Sequence, residues 1–330
     1  MFKYIVAIFP ILFCLNSFAK EVVVYTSRNE HLIKDIFKQY TEETGVKVTY
    51  KTGKAAALIQ SIKAEGEKSP ADIFMTVDAG NLWFAGNEGL LEPISSNKLK
   101  KNIPFNLRDE KGRWFGLSVR ARTIAFNPAK VAKGELTSYE GLADPKWKGR
   151  LCLRTSKKVY NQSLVAMLIS ELGAKKAKEV VKGWVNNTVE IFPNDTAVLK
   201  AVAAGQCDAG IVNTYYYGRL MKKSPKLPLK LFWPNQDNSY GVHVNVSGAG
   251  VLKTSKNKDE ARKLIEWLSS RTAQKSFAQV NMEYPINKLF PESKVTKSWG
   301  SFKPNKSFNL SNAGALQKDA IKLMREVRYK

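Results

Sequence analysis

Three consecutive tyrosines, Tyr215-Tyr216-Tyr217, follow the apolar run Ala209-Gly210-Ile211-Val212, and a fourth, Tyr160, sits in Val159-Tyr160-Asn161-Gln162-Ser163. A phenol has an ordinary pKa near ~10, so at neutral pH it ligates a metal only when the metal drives its proton off. Once ionised it is a hard oxygen donor, suited to a small and highly charged cation. Adjacent side chains on a strand point to opposite faces, but at a helix start two of them can turn into one cleft. Residue types alone leave two other readings open, a packed aromatic stripe or the wall of a sugar site. Lys157 and Lys158 precede Tyr160 and could hold it ionised or simply be solvated. There are only two histidines, His31 and His243. No nucleophile paired with a base, phosphate-cradling glycine loop or zinc helix motif is found, which argues against an enzyme.

The compartment is legible at the start of the chain. Lys3 is followed by the apolar stretch Tyr4 to Leu15 and the small-x-small site Ser17-Phe18-Ala19. This reads as a secretory signal peptide over 1–19, cleaved after Ala19, which sends the mature protein to the periplasm. The apolar run is shorter than the ~20 residues that span a bilayer. Phe13 before Cys14 argues against a lipidated cysteine, which needs a small residue there. Cys152 and Cys207 remain after cleavage. In an oxidising compartment they read as a disulfide, the alternative being two separate buried thiols. On chain-entropy accounting such a bridge stabilises the fold by about 4 kcal/mol.

The chain carries 53 Lys and Arg against 29 Asp and Glu, a formal charge of +24. That excess often marks nucleic-acid or lipid binding, but the lysines are spread along the whole sequence. No basic arm, zinc finger or aromatic-basic RNA signature accompanies them. A solvated positive surface, which also concentrates small anions, is the reading that remains.

The elements that must position these groups follow an α/β rhythm. Glu21 to Tyr25 reads as a buried strand, followed by the turn Thr26-Ser27-Arg28-Asn29. A helix with Leu32, Ile33, Ile36, Phe37 and Tyr40 on one face ends near Gly45. Val46 to Tyr50 is a second strand, a helix runs through Ala55, Leu58, Ile59 and Ile62, and Asp72-Ile73-Phe74-Met75 is a third strand. That order predicts a mainly parallel sheet with its ligand loops at the strands' carboxyl ends. A second lobe has strands at Arg150 to Leu153, Val189 to Phe192 and Ala209 to Val212. Its helices are predicted over Ser163 to Leu172 and over Thr196 to Ala204, the latter capped by Asn194 or Asp195 and stopped by Gly205. From Val246 to Leu252 a further apolar run leads into a helix across Ala261, Leu264, Ile265 and Leu268. No repeat or long linker separates the lobes, so the chain should cross between them more than once.

Taken in order, these segments resemble the extracytoplasmic ferric-iron-binding proteins of ABC importers, within the type II periplasmic binding proteins, over nearly the whole mature chain. The likeness is carried by Val22 to Arg28, Thr44-Gly45-Val46-Lys47-Val48, Ser69 to Phe74, Trp114 to Arg122, Val159 to Ser163, and Asn213-Thr214-Tyr215-Tyr216. It implies a two-lobed α/β fold with the ligand cleft between lobes: 20–120 with 247–290, and 121–246 with 291–330. Crossing strands near Ser118 to Phe126 and Val246 to Leu252 would form the hinge.

The same resemblance implies Fe3+ held by Tyr160, Tyr215 and Tyr216, with Tyr217 facing away. Three phenolates neutralise the ferric charge and leave room for a small synergistic anion, commonly carbonate in this family. Arg120 is the first candidate to hold that anion in a bidentate grip, then Arg122, with hydroxyls from Thr155 and Ser156. Arg28 could assist or only cap its loop. The first loop departs from many relatives, which place histidine directly after Ser-Arg; here the run is Asn29-Glu30-His31, and His31 is displaced toward a helix. Asp78 could offer a carboxylate, although a helix cap suits it better. The implied partner is an ABC permease in the inner membrane, served by a monomer that binds no nucleic acid. The alternatives are the same fold with a phosphonate, thiamine-like or polyol ligand, a secreted hydrolase of anionic polymers, or a nucleic-acid-coating protein with salt-dependent DNA binding.

Overall fold

The computed structural model describes residues 20–330; the proposed signal peptide and its cleavage after Ala19 lie outside the described residues. The opening strand β1 (Glu21–Thr26) buries Val22, Val24 and Tyr25 and is flanked on both edges by parallel partners. These are β2 (Lys47–Thr52) and β3 (Ile73–Thr76), reached through helices α1 (Lys34–Thr44) and α2 (Ala55–Glu65). Gly45 ends α1 at φ 72, the left-handed conformation that glycine adopts without a Cβ penalty. Helices α3 (Ala79–Asn87) and α4 (Asn97–Asn102) follow.

Strand β4 (Phe115–Phe126) then does two jobs. Its first half, Phe115 to Ala121, pairs antiparallel with β9, and its second half, Arg122 to Phe126, pairs antiparallel with β7. Beyond it come β5 (Leu151–Arg154), α5 (Val159–Asn187), β6 (Thr188–Phe192), α6 (Asp195–Ala203), β7 (Ala209–Asn213), α7 (Thr214–Lys223), β8 (Lys230–Phe232) and β9 (Val244–Val251). The chain finishes with α8 (Lys258–Leu268), α9 (Arg271–Asn281), α10 (Lys294–Lys297), α11 (Ser311–Ala315) and α12 (Gln317–Glu326). Strand order is β2-β1-β3-β9-β4-β7-β5-β6, with β8 also on β4. Strands β4 and β9 are thus the two crossings, at the places the apolar runs indicated, and the fold is the type II periplasmic-binding-protein fold. Among the described residues no helix is long and apolar enough to cross a membrane.

Helix α5 outruns the expected Ser163 to Leu172. Gly173, at φ 76 and ψ 157, interrupts two helical pieces, and the apolar pattern resumes on Ala177, Val180, Val181 and Trp184. The sequence pattern stopped at the interruption. Cys152 and Cys207 form a disulfide within a small core containing Val198, Leu199, Val202 and Val212. It ties β5 to the turn before β7, and those two parallel strands lead directly into Tyr160 and Tyr215.

Candidate functional site

Adjacent parallel strands β5 and β7 end side by side, with Cys152 opposite Gly210. Each delivers the chain into a helix start: Tyr160 is the second residue of α5, and Tyr215 and Tyr216 are the second and third of α7. Helix amino ends carry partial positive charge, so phenol oxygens here sit where an anion is favoured. Successive helical residues are rotated by about 100°, so a third neighbour cannot share the cleft. Tyr217 turns away: its hydroxyl donates to the Leu229 carbonyl at 3.3 Å and its ring meets Trp299 edge-on at 5.9 Å.

Tyr215 and Tyr216 pack with ring centroids 4.4 Å apart, and Tyr160 is close enough for its phenol and that of Tyr215 to influence each other's ionisation. Four cations surround these rings. The Arg120 guanidinium lies 5.5 Å from the Tyr160 ring centre, Arg154 is 5.3 Å from Tyr160 and 5.9 Å from Tyr216, Lys158 is 5.3 Å from Tyr160, and Arg219 is 4.9 Å from Tyr215. Burial pushes the Tyr215 phenol well up, and the neighbouring Tyr160 and Tyr216 push it further against the pull of Arg120. Tyr160 is also raised by burial, with Arg120 again opposing. Without a metal Tyr160 and Tyr215 therefore keep their protons, and Arg120 lowers the cost of removing them.

The arginines divide by what they touch. Arg120 donates to Ser247 Oγ at 2.8 Å and the Val246 carbonyl at 3.0 Å, both on β9, and its buried Nε has no partner. Arg154 ends β5 and leaves Nε and Nη1 without hydrogen bonds, although Nη1 lies 3.3 Å from Asp195 Oδ1. Arg122, the second candidate to hold the anion, is engaged by protein groups. Its Nη1 donates to Asp195 and to Asn213 Oδ1, both at 3.2 Å, and its Nη2 to Asn161 Oδ1 at 2.5 Å and to the Ile211 carbonyl at 3.2 Å. Asn161 follows Tyr160, and Asn213 donates from Nδ2 to the Tyr215 oxygen at 3.4 Å. Arg122 thus fastens the two tyrosine-bearing segments together from beneath. Arg28 is likewise held, in an ion pair with Glu283 at 3.2 Å and in hydrogen bonds to Ser118 and Ser247.

Thr155 and Ser156 occupy the half-buried turn between Arg154 and α5. His31 is exposed on the single turn Glu30–Leu32, and His243 is buried, with a pKa lowered to about 3 chiefly by desolvation. A cavity of about 470 Å³ is walled by Arg28, Asn29, Gly53 and Asn81 on one side and, on the other, by Lys158 and Val159, which precede Tyr160 in the chain. Among the described residues no cluster of three or more His, Cys, Asp or Glu could hold a metal. Arg154 and Arg219 escaped the sequence reading, as did the pairing of Asp195 with Arg122 and Arg154. One signal was present, since Arg219 stands four residues after Tyr215 on a helix and so shares its face.

Asp78 caps α3, accepting from the Gly80 amide at 2.8 Å, and it also receives Asn245 Nδ2 at 2.9 Å and the Ser163 hydroxyl at 3.2 Å. Burial pushes its carboxyl up to about 6, while Arg120 and these hydrogen bonds pull the other way. The folded protein then holds this proton up to about pH 6, whereas an exposed aspartate releases it near ~3.9. The contribution is present below pH ~4 and is lost as pH rises through about 6, a change of about 3 kcal/mol. Denaturant unfolding of iron-free wild type and Asp78→Asn should show wild type losing ground to the variant across that window. A stability difference that stays constant from pH 4 to 7 would contradict this assignment.

Residues 26–275 match the bacterial extracellular solute-binding protein family. The chain is 42% identical over 318 residues to "Iron uptake protein A1" of Synechocystis sp., covering 94% of this chain and 88% of that one. It is 32% identical over 271 residues to the "Fe(3+)-binding periplasmic protein" of Serratia marcescens, covering 80% and 78%. Among solved structures, the Trichodesmium IdiA (FutA) protein in complex with iron and citrate superposes with a TM-score of 0.90 at 46% identity, covering 94% of this chain and all of that one.

Proposed function

The chain belongs to the bacterial extracellular solute-binding proteins, and from that premise we propose that it captures ferric iron outside the cytoplasm and passes it to an ABC-type permease in the inner membrane. The observation that carries this reading is the meeting of Tyr160, Tyr215 and Tyr216 at two helix starts, ringed by Arg120 and Arg154. Three ionised phenols are hard donors whose summed charge balances a ferric ion. The protein is a carrier and not an enzyme. The mature monomer would start after Ala19 and work in the periplasm, with the hinge strands β4 and β9 joining lobes 20–120 with 247–290 and 121–246 with 291–330.

A small oxyanion completes the site in this reading, and carbonate is the first candidate. Buried donors without partners are costly, and Arg120 Nε together with Arg154 Nε and Nη1 are such donors. A planar anion between the two guanidiniums would satisfy them, with Thr155 and Ser156 near enough in sequence to add hydroxyls. Arg120→Ala should weaken ferric binding by about tenfold or more when bicarbonate is the sole anion, with partial recovery in citrate. Chelator competition at several bicarbonate concentrations measures this. Equal affinity of variant and wild type throughout would leave Arg120 with only its hinge contacts to Ser247 and Val246.

A further inference from the structure

Tyr329 lies far from the tyrosines in sequence yet is buried behind their loop, with 5% of its surface exposed. Its hydroxyl donates to the Arg154 carbonyl at 2.7 Å and accepts from Asn161 Nδ2 at 3.1 Å. Asn161 Nδ2 also reaches the Arg154 and Thr155 carbonyls at 2.8 and 3.0 Å. The next residue joins in: the Ser156 amide donates to the Lys330 carbonyl at 2.7 Å. The segment that carries Arg154, Thr155, Ser156 and Tyr160 is therefore pinned on both sides by a piece of chain about 170 residues away.

The route there is also specified. Helix α12 packs along α5, and Arg328 follows it at φ 57, a left-handed conformation uncommon for a long side chain. That turn carries Tyr329 off the helix, where its amide bonds to the Met324 carbonyl at 2.9 Å and its ring enters the core. A strained turn that leads a polar tip onto one carbonyl of the site loop implies a geometric task rather than mere chain closure.

We infer that Tyr329 and Lys330 are positioning residues of the iron site, setting the pitch of the Arg154–Tyr160 loop against the α7 tyrosines. The inference rests on the reading of Tyr160 as an iron ligand. Ligands must be held within about 0.5 Å of their productive geometry, and supporting residues behind them commonly contribute ~10–100-fold to metal affinity. Tyr329→Phe deletes the hydroxyl and keeps the ring; Met324→Ala removes side-chain packing from the same helix and leaves in place the backbone carbonyl that holds the Tyr329 amide.

Ferric affinity by chelator competition, the position of the visible absorption band and thermal stability should be measured on full-length mature wild type and both variants. The expected result is about tenfold weaker binding and a displaced band in Tyr329→Phe, with Met324→Ala less stable but unchanged in both. Wild-type affinity and band in Tyr329→Phe would overturn the inference, as would losses in the two variants that simply track their melting temperatures. Wild type that takes up no ferric iron would instead overturn the reading on which the inference rests.

Discussion

Phenylalanine at Tyr160, Tyr215 or Tyr216 should lower ferric affinity on the order of a hundredfold each, while Tyr217→Phe stays within about threefold of wild type. The exchange removes one oxygen and keeps the ring, so packing changes little. What it removes differs by position. Tyr160, Tyr215 and Tyr216 converge at two helix starts among four cations, whereas Tyr217 is spent on the Leu229 carbonyl and Trp299. The pH profile sharpens the test. Burial raises Tyr160 and Tyr215, so each enters binding as a neutral phenol and must release its proton to the solvent. Every phenol that ionises on binding makes affinity rise about tenfold per pH unit below its pKa. Phenylalanine at a ligand position should therefore also reduce that slope by about one proton, and Tyr217→Phe should leave the slope alone. Loss at Tyr217 with none at Tyr215 would shift the ligand register by at least one residue.

The second large effect is expected at Arg122. Methionine there keeps volume but strands Asp195, which is fully buried and would retain the Asn213 amide at 3.1 Å and, as its one remaining cation, Arg154 Nη1 at 3.3 Å. Removing one member of a buried pair costs about 3–5 kcal/mol, because the other charge stays desolvated. Asn161 and Asn213 lose their shared anchor at the same time, so the Tyr160 and Tyr215 segments are freed relative to each other. Arg122→Met should thus be strongly destabilised in denaturant and bind iron poorly. Pairing it with Asp195→Leu should restore part of the stability, since the stranded carboxylate is gone while buried Arg154 loses its ion-pair partner, but not the affinity. Recovery of both together would mean that Arg122 serves stability alone.

Much of this arrangement was legible in the sequence because it depends on local patterns. Val22 to Tyr25 and Ile73 to Met75 are apolar runs with no polar face, as strands covered on both sides must be, and Asn194 caps α6 where its side chain accepts from the Ala197 amide. Tyr215 and Tyr216 were legible because a buried strand ran straight into them. The network beneath them was not. Whether Arg120 or Arg122 looks into the cleft depends on where β4 leaves β9 for β7, at Ala121 and Arg122, and that is a property of pairing with strands far along the sequence, 91 residues from Arg122 to Asn213 and 127 from Arg120 to Ser247. Arg154 was hidden for a similar reason: one charged residue at the end of Leu151-Cys152-Leu153 looks like an ordinary strand terminus until Tyr160 and Tyr216 are brought to it. Tyr329 gave no local signal at all, since its partners lie about 170 residues away in sequence.

Titration of ferric salt into the iron-free mature protein in bicarbonate buffer, followed by visible absorbance and proton release, tests the central claim most directly. The account predicts saturation at a single equivalent, a visible band from phenolate-to-iron charge transfer, and release of roughly two to three protons per iron. Tight uptake without a visible band, or no uptake at all, would contradict it.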